Sequence, residues 1–146
     1  MAELVVTQEV AAPVEQTWDV LTDWDVHDRW MLLTRAEGGR SEGASIAAFT
    51  GFGPVGFLDT MTITVWEPPH RAVVRHTGTV VRGSGAFEVE AVGTGRSRVV
   101  WSEWVVLPFG LLGTIAWPIV RPVLRVFVQI SLRRLARYVE QSESGR

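Results

Sequence analysis

The chain contains no cysteine and no lysine. Without cysteine there is no disulfide, no thiolate zinc site and no cysteine nucleophile, and nothing marks the redox compartment. All 14 basic residues are arginine, a uniformity that reads as compositional bias before it reads as function. The formal net charge of −2 leaves no general basic stripe for nucleic acid. Residues 1–10 lack a basic segment followed by an apolar core, so no signal peptide is expected and cytoplasmic is the default location. The uncharged run Val105–Val120 is shorter than the ~20 residues of a membrane span, and Pro108, Gly110, Gly113 and Pro118 interrupt it.

Several chemical motifs are also missing. No G-x-G-x-x-G, P-loop, G-x-S-x-G or H-E-x-x-H occurs. Gly51-Phe52-Gly53-Pro54 is glycine-rich, but no helical pattern follows it to supply phosphate-binding N–H groups. Ser84, in Gly83-Ser84-Gly85, reads as a turn residue. His27, His70 and His76 are scattered without metal-ligand spacing, so neither a metal nor a cofactor is expected.

What is present is a hydrophobic chain, 47% apolar and 10% aromatic, which argues against disorder. Its length suits one domain over residues 1–146 that buries roughly 70% of its unfolded surface. Leu4 and Val6 alternate with Val5 and Thr7 in a first strand that Ala11-Ala12-Pro13 ends. Val14, Thr17, Trp18 and Leu21 share one helical face, with Pro13 suited to the helix start. A second short helix is expected over Trp24–Leu33, with Trp24, Val26, Trp30 and Leu33 inward.

Strand patterns then dominate. They cover Ala44–Phe49, Gly56–Trp66, Arg71–Thr79, Ala86–Val92 and Ser97–Leu107, separated by turns such as Glu67-Pro68-Pro69-His70 and Gly93-Thr94-Gly95-Arg96. The chain closes in a long arginine-bearing helix. Leu124, Phe127, Val128, Ser131, Leu135 and Tyr138 form its apolar stripe, and Arg121, Arg125, Gln129, Arg133 and Arg137 lie on another face. Pro118 and Pro122 predict a kink or break between Gly113 and Pro122. Strands segregated from helices indicate an α+β fold, an antiparallel sheet curved around the terminal helix.

This order, together with particular stretches, resembles a known superfamily. The stretches are Val10–Trp24 with its APVEQTWDVLTDW run, W-E-P-P-H-R at 66–71, R-G-S-G-A-F-E-V-E at 82–90, S-R-V-V-W-S-E at 97–103 and the terminal helix. They are similar to the START-related helix-grip superfamily (SRPBCC), which includes polyketide cyclase/dehydrase and lipid-transport proteins. The resemblance implies a deep apolar cavity between the sheet and the last helix. It supplies no shared catalytic motif, because one scaffold serves carriers, cyclases and hydrolases alike.

A tight hairpin at 66–71 sets Val65 opposite Ala72, Ile63 opposite Val74 and Met61 opposite His76. Alternation then gives an inner face of Phe57, Asp59, Met61, Ile63, Val65, Val74, His76, Phe87, Val89, Val99, Trp101 and Glu103. Trp30, Trp101 and Trp117 are expected as flat cavity walls. Asp59, His76 and Glu103 are the ionisable members, and a few polar groups in an apolar concavity suit a ligand pocket. They are also the weak candidates for general acid–base catalysis. A one-residue slip in register would turn all three outward, and Glu103 and His76 are equally readable as satisfied structural residues.

Three functional readings stay open. The first is a carrier that binds a lipid, isoprenoid or polyketide-like molecule. The second is a polyketide cyclase or dehydratase using His76 with Glu103 or Asp59. The third is an interaction module with a filled cavity, either a homodimer or a peripheral membrane protein. Val123, Val126 and Ile130, lying among the arginines, suggest docking on an anionic membrane surface or on a second subunit, and the kinked segment between Gly113 and Pro122 suggests a movable lid.

Overall fold

The computed structural model describes residues 2–79, 81–107 and 109–144. Seven strands form one antiparallel sheet: β1 (Ala2–Val10), β2 (Thr34–Gly38), β3 (Ser45–Phe52), β4 (Val55–Glu67), β5 (Arg71–His76), β6 (Gly83–Ala91) and β7 (Ser97–Val105). Their spatial order is β1-β7-β6-β5-β4-β3-β2, so the first strand returns beside the last while the others follow as consecutive hairpins. Helix α1 (Val14–Leu21) and a short 3-10 helix (Trp24–Arg29) fill the connection from β1 to β2. Helix α2 (Leu111–Ser144) closes the chain. The sheet curls into a half-barrel that grips α2, the helix-grip α+β architecture.

The core forms where the amphipathic pattern requires it. Leu21, Val10 and Val99 meet Leu132 and Leu135 of α2, all fully buried. Ser97 Oγ donates to the carbonyl of Ala12 and meets Thr17 Oγ1 at 2.8 Å, so these two hydroxyls buried under α1 are satisfied. Ser131 Oγ accepts the Leu32 N–H and donates to the Phe127 carbonyl, which pins the chain entering β2 onto α2.

The α2 stripe differs in detail from the expected one. Val128, Ser131 and Leu135 are buried, Phe127 and Tyr138 are half-buried, and Leu132, Ala136 and Val139 join them. Leu124 is 38% exposed, because the core ends before it.

Three further expectations are corrected. The second helix is a single 3-10 segment ending at Arg29, with the Asp23 carboxylate accepting the Asp25 N–H. Beyond it Leu33 adopts a left-handed φ of 54° and is exposed rather than inward. In β4 a bulge lies between Ile63 and Val65, so Val65 pairs with Val73 and Trp66 with Ala72. The extra residue moves Val65 off the inner face and brings Trp66 onto it, 5.2 Å from the Trp18 ring. Below the bulge Ile63 pairs with Val74 and Met61 with His76. Finally, the expectation of a break in α2 fails, since one helix runs through Pro118 and Pro122. Both prolines are exposed, so the carbonyls of Thr114 and Pro118 that they leave without an N–H can bond water.

Candidate functional site

β4, β5 and β7 each contribute one ionisable side chain to a common point on the concave face. His76 Nδ1 lies 2.8 Å from Asp59 Oδ1, and Nε2 lies 3.0 Å from Glu103 Oε2. Only an imidazolium donates from both ring nitrogens, so the histidine is held as a cation between two carboxylates. Trp101 Nε1 donates to the remaining Glu103 oxygen, Oε1, at 3.0 Å. Residues 101 and 103 stand on one face of β7 because side chains alternate along a strand.

The electrostatics follow from the geometry. Burial is the strongest single influence on His76 and by itself would lower its pKa. Hydrogen bonds to Asp59 and Glu103, reinforced by their charges, together outweigh burial and raise it from 6.5 to about 10. The imidazole side chain is 3% exposed, whereas the carboxylates are 17% and 19% exposed and face the cavity from its wall.

Gly85 makes room for this arrangement. It sits opposite Glu103 in the β6–β7 register, and a Cβ there would come within 2.8 Å of Glu103 Oε1 and 2.9 Å of Oε2. The glycine that punctuates the sequence as a turn therefore lies inside β6 and admits the carboxylate.

The cluster borders a cavity of about 80 Å³. Asp59, Met61, Val74, His76, Phe87, Trp101 and Glu103 line it. Phe87 and Trp101 meet edge to face, with ring centroids 4.7 Å apart.

The other expected wall residues lie elsewhere. Trp30, Ile63 and Val89 are packed solidly into the core at 0%, 1% and 1% exposure. Phe57 is exposed, because this part of the β3–β4 hairpin runs beyond the end of β5. Trp117 lines a separate apolar groove of about 500 Å³ between the start of α2 and the ends of β6 and β7. The two spaces follow one another along β7, with Trp101 and Glu103 lining the cavity and Val105, two residues on, lining the groove.

Sequence reasoning missed the far wall: Trp24, His27, Met31, and small residues such as Ala36 and Ala48. His27 is buried edge-on between the rings of Trp24 and Trp30. Burial lowers its pKa to about 4 against an opposing pull from Asp28, so it is neutral at pH 7. Its Nδ1 has no hydrogen-bond partner within the protein. A histidine three residues after one tryptophan and three before another was the available signal.

A family model described as polyketide cyclase / dehydrase and lipid transport matches residues 1–140. The chain belongs to that family. Among solved structures, a protein from Thermus thermophilus is similar at a TM-score of 0.78 and 16% identity, over 97% of this chain and 99% of that one. The Zhui aromatase/cyclase of Streptomyces sp. R1128 is similar at a TM-score of 0.77 and 18% identity, over 96% and 94%. A di-domain ARO/CYC protein of the BE-7585A biosynthetic pathway is similar at 0.71 and 14%, over 95% of this chain and 50% of that one. No curated protein sequence matches the chain significantly. At these identities the structural likenesses establish the fold and leave the activity open.

Within this polyketide cyclase and lipid-transport family member, the cluster suits some chemistry and not other chemistry. A histidine with a pKa of about 10 carries its proton throughout the neutral range and is no general base there. The two carboxylates retain acceptor capacity beyond their bonds to His76, since an ionised carboxylate has about four lone-pair sites. The site is thus an anchored pair of acceptors in an apolar wall.

Proposed function

We propose that the protein binds a hydrophobic small molecule, of polyketide or isoprenoid type, that carries a hydroxyl donor at one end. The observation that supports this most is the Asp59–His76–Glu103 cluster set into the wall of an otherwise apolar cavity. A hydroxyl or phenol on the ligand donates to a carboxylate oxygen, while Phe87 and Trp101 together form one aromatic wall against its ring. His27, neutral and unpartnered at Nδ1, offers a second polar contact. A cavity of about 80 Å³ is smaller than the ~150 Å³ that accommodates a benzene ring. A larger ligand therefore places its polar head at the cluster and its body in the groove of about 500 Å³, against Val105, Trp117 and Leu124.

The cyclase reading shares the same residues and the same cavity. It requires His76 to exchange a proton near neutral pH, and the two carboxylates that clamp it oppose that. The carrier reading needs only the cavity and its acceptors.

The test is a titration followed by tryptophan fluorescence, comparing a hydroxylated polycyclic aromatic with its hydroxyl-free analogue. The hydroxylated compound is expected to bind about tenfold more tightly, as one hydrogen bond in a buried site allows. Substituting Glu103→Gln together with Asp59→Asn should narrow that gap. Failure of both compounds to bind would refute the proposal.

A further inference from the structure

The α2 helix is amphipathic in its second half only. From Leu111 to Ile130 its outer face carries Leu111, Ile115, Ile119, Val123, Val126 and Ile130 at steps of three and four, a stripe about 30 Å long. The first five are more than half exposed, Ile119 at 75%. The buried stripe of Val128, Leu132, Leu135 and Val139 lies on the opposite side of the helix. Core packing therefore does not explain the outer stripe.

A second element points the same way. β3 ends at Phe52, β4 begins at Val55, β5 ends at His76 and β7 ends at Val105 just before α2. Antiparallel pairing places all of these at one end of the sheet. Phe52 and Val55 at the hairpin tip, and Phe109 at the entry to α2, are each at least three-quarters exposed. One end of the molecule is thus greasy on two independent elements.

The charge identifies what covers it. Between Val105 and Val139 there is no acidic residue, whereas Arg121, Arg125, Arg133, Arg134 and Arg137 all lie on α2. In a chain of net charge −2 this is a marked segregation. The outer stripe runs on from Ile130 to the exposed Arg133 and Arg137 at the same steps of three and four, so aliphatic side chains and positive charge share one face. An anionic lipid surface meets the aliphatic stripe and the arginines together.

We propose that this end docks on an anionic phospholipid bilayer as an interfacial helix. The helix is long and apolar enough to cross a membrane by length and composition alone. Its second half is committed to the core from Val128 onward, however, and Arg121 and Arg125 interrupt the exposed part before it, so the helix lies along a bilayer surface and does not span it. The aliphatic stripe enters the headgroup and acyl boundary, and the arginines reach lipid phosphates. Arg133, about 33 Å along the helix from Leu111 and on the same face, suits an oblique entry with the α2 start deepest. The docking does not depend on what occupies the cavity.

The test is flotation of the full chain with phosphatidylcholine vesicles, with and without phosphatidylglycerol. Retention is expected on the anionic vesicles and should fall with salt. Ile115→Asp with Ile119→Asp should weaken partitioning at least ~tenfold for each side chain replaced. Arg133→Gln with Arg137→Gln should weaken it by about fivefold per residue. All four positions are exposed, so urea unfolding should leave stability unchanged and confirm that each variant folds. Absence of retention, or retention that the isoleucine variant keeps in full, overturns the proposal. So does a dimer in sedimentation equilibrium that the isoleucine variant splits, because the stripe would then be covered by a second copy.

Discussion

Replacing His76 by Gln removes the cation from between Asp59 and Glu103 and leaves two carboxylates on one cavity wall. In the folded protein the His76 pKa is raised from 6.5 to about 10. At ~1.4 kcal/mol per tenfold change in proton affinity, that difference corresponds to an upper bound on the order of 5 kcal/mol. The carboxylates are partly solvated, and breaking a well-buried ion pair costs roughly 3–5 kcal/mol, so a loss of about 3 kcal/mol at pH 6 is expected. Because the folded pKa lies above the unfolded one, this stabilisation is fully present below pH 6.5. It declines as pH rises and is gone above about pH 10. Urea unfolding of wild type and His76→Gln at pH 6, 8 and 10 should show the gap shrinking along that window. A gap that stays constant from pH 6 to 10, or a His76 NMR titration midpoint near 6.5 in the folded protein, would refute the reasoning.

Other expectations follow from the same structure. Gly85→Ala should displace the Glu103 carboxylate and lower the His76 pKa from about 10, readable by NMR titration, with the Asp59 contact retained. His27 has its folded pKa lowered to about 4, so its contribution is present above pH 6.5 and lost as pH falls toward 4; His27→Gln should lose less stability than wild type over that interval in urea unfolding. Leu132→Ala, at a fully buried position between α2 and the sheet, should cost about 2–5 kcal/mol by denaturant unfolding. Ser97→Ala removes the hydroxyl that meets Thr17 and the Ala12 carbonyl and should cost about 1–3 kcal/mol in the same assay.

The architecture was legible because two periodicities carry it. Alternation along Gly56–Ile63 and Ser97–Glu103 marks strands with a buried face, and steps of three and four through Val128, Leu135 and Tyr138 mark the helix. The proximity of Asp59, His76 and Glu103 follows from the pairing of Met61 with His76, which the turn at 67–70 made readable. The β4 bulge was not readable, since one extra residue leaves no mark on composition, and it exchanges Val65 for Trp66 on the inner face. The far cavity wall was also hidden. Ala36 and Ala48 are too small to signal a pocket, and they come together only when β2 and β3 fold over the 3-10 helix. The continuity of α2 through its prolines depends on which side faces water, a property of the fold and not of the local chain. Trp117 lines the groove and not the cavity beside His76, because the helix period gives its angle around α2 but not where the core stops along it.

The central claim, that an apolar molecule is held beside the His76 cluster, is tested most directly by native mass spectrometry of protein purified without detergent. A second species is expected, heavier than the bare chain by one small organic molecule, which Asp59→Asn with Glu103→Gln diminishes and organic extraction releases. A bare chain alone, which also takes up no hydroxylated aromatic when one is added, would contradict it.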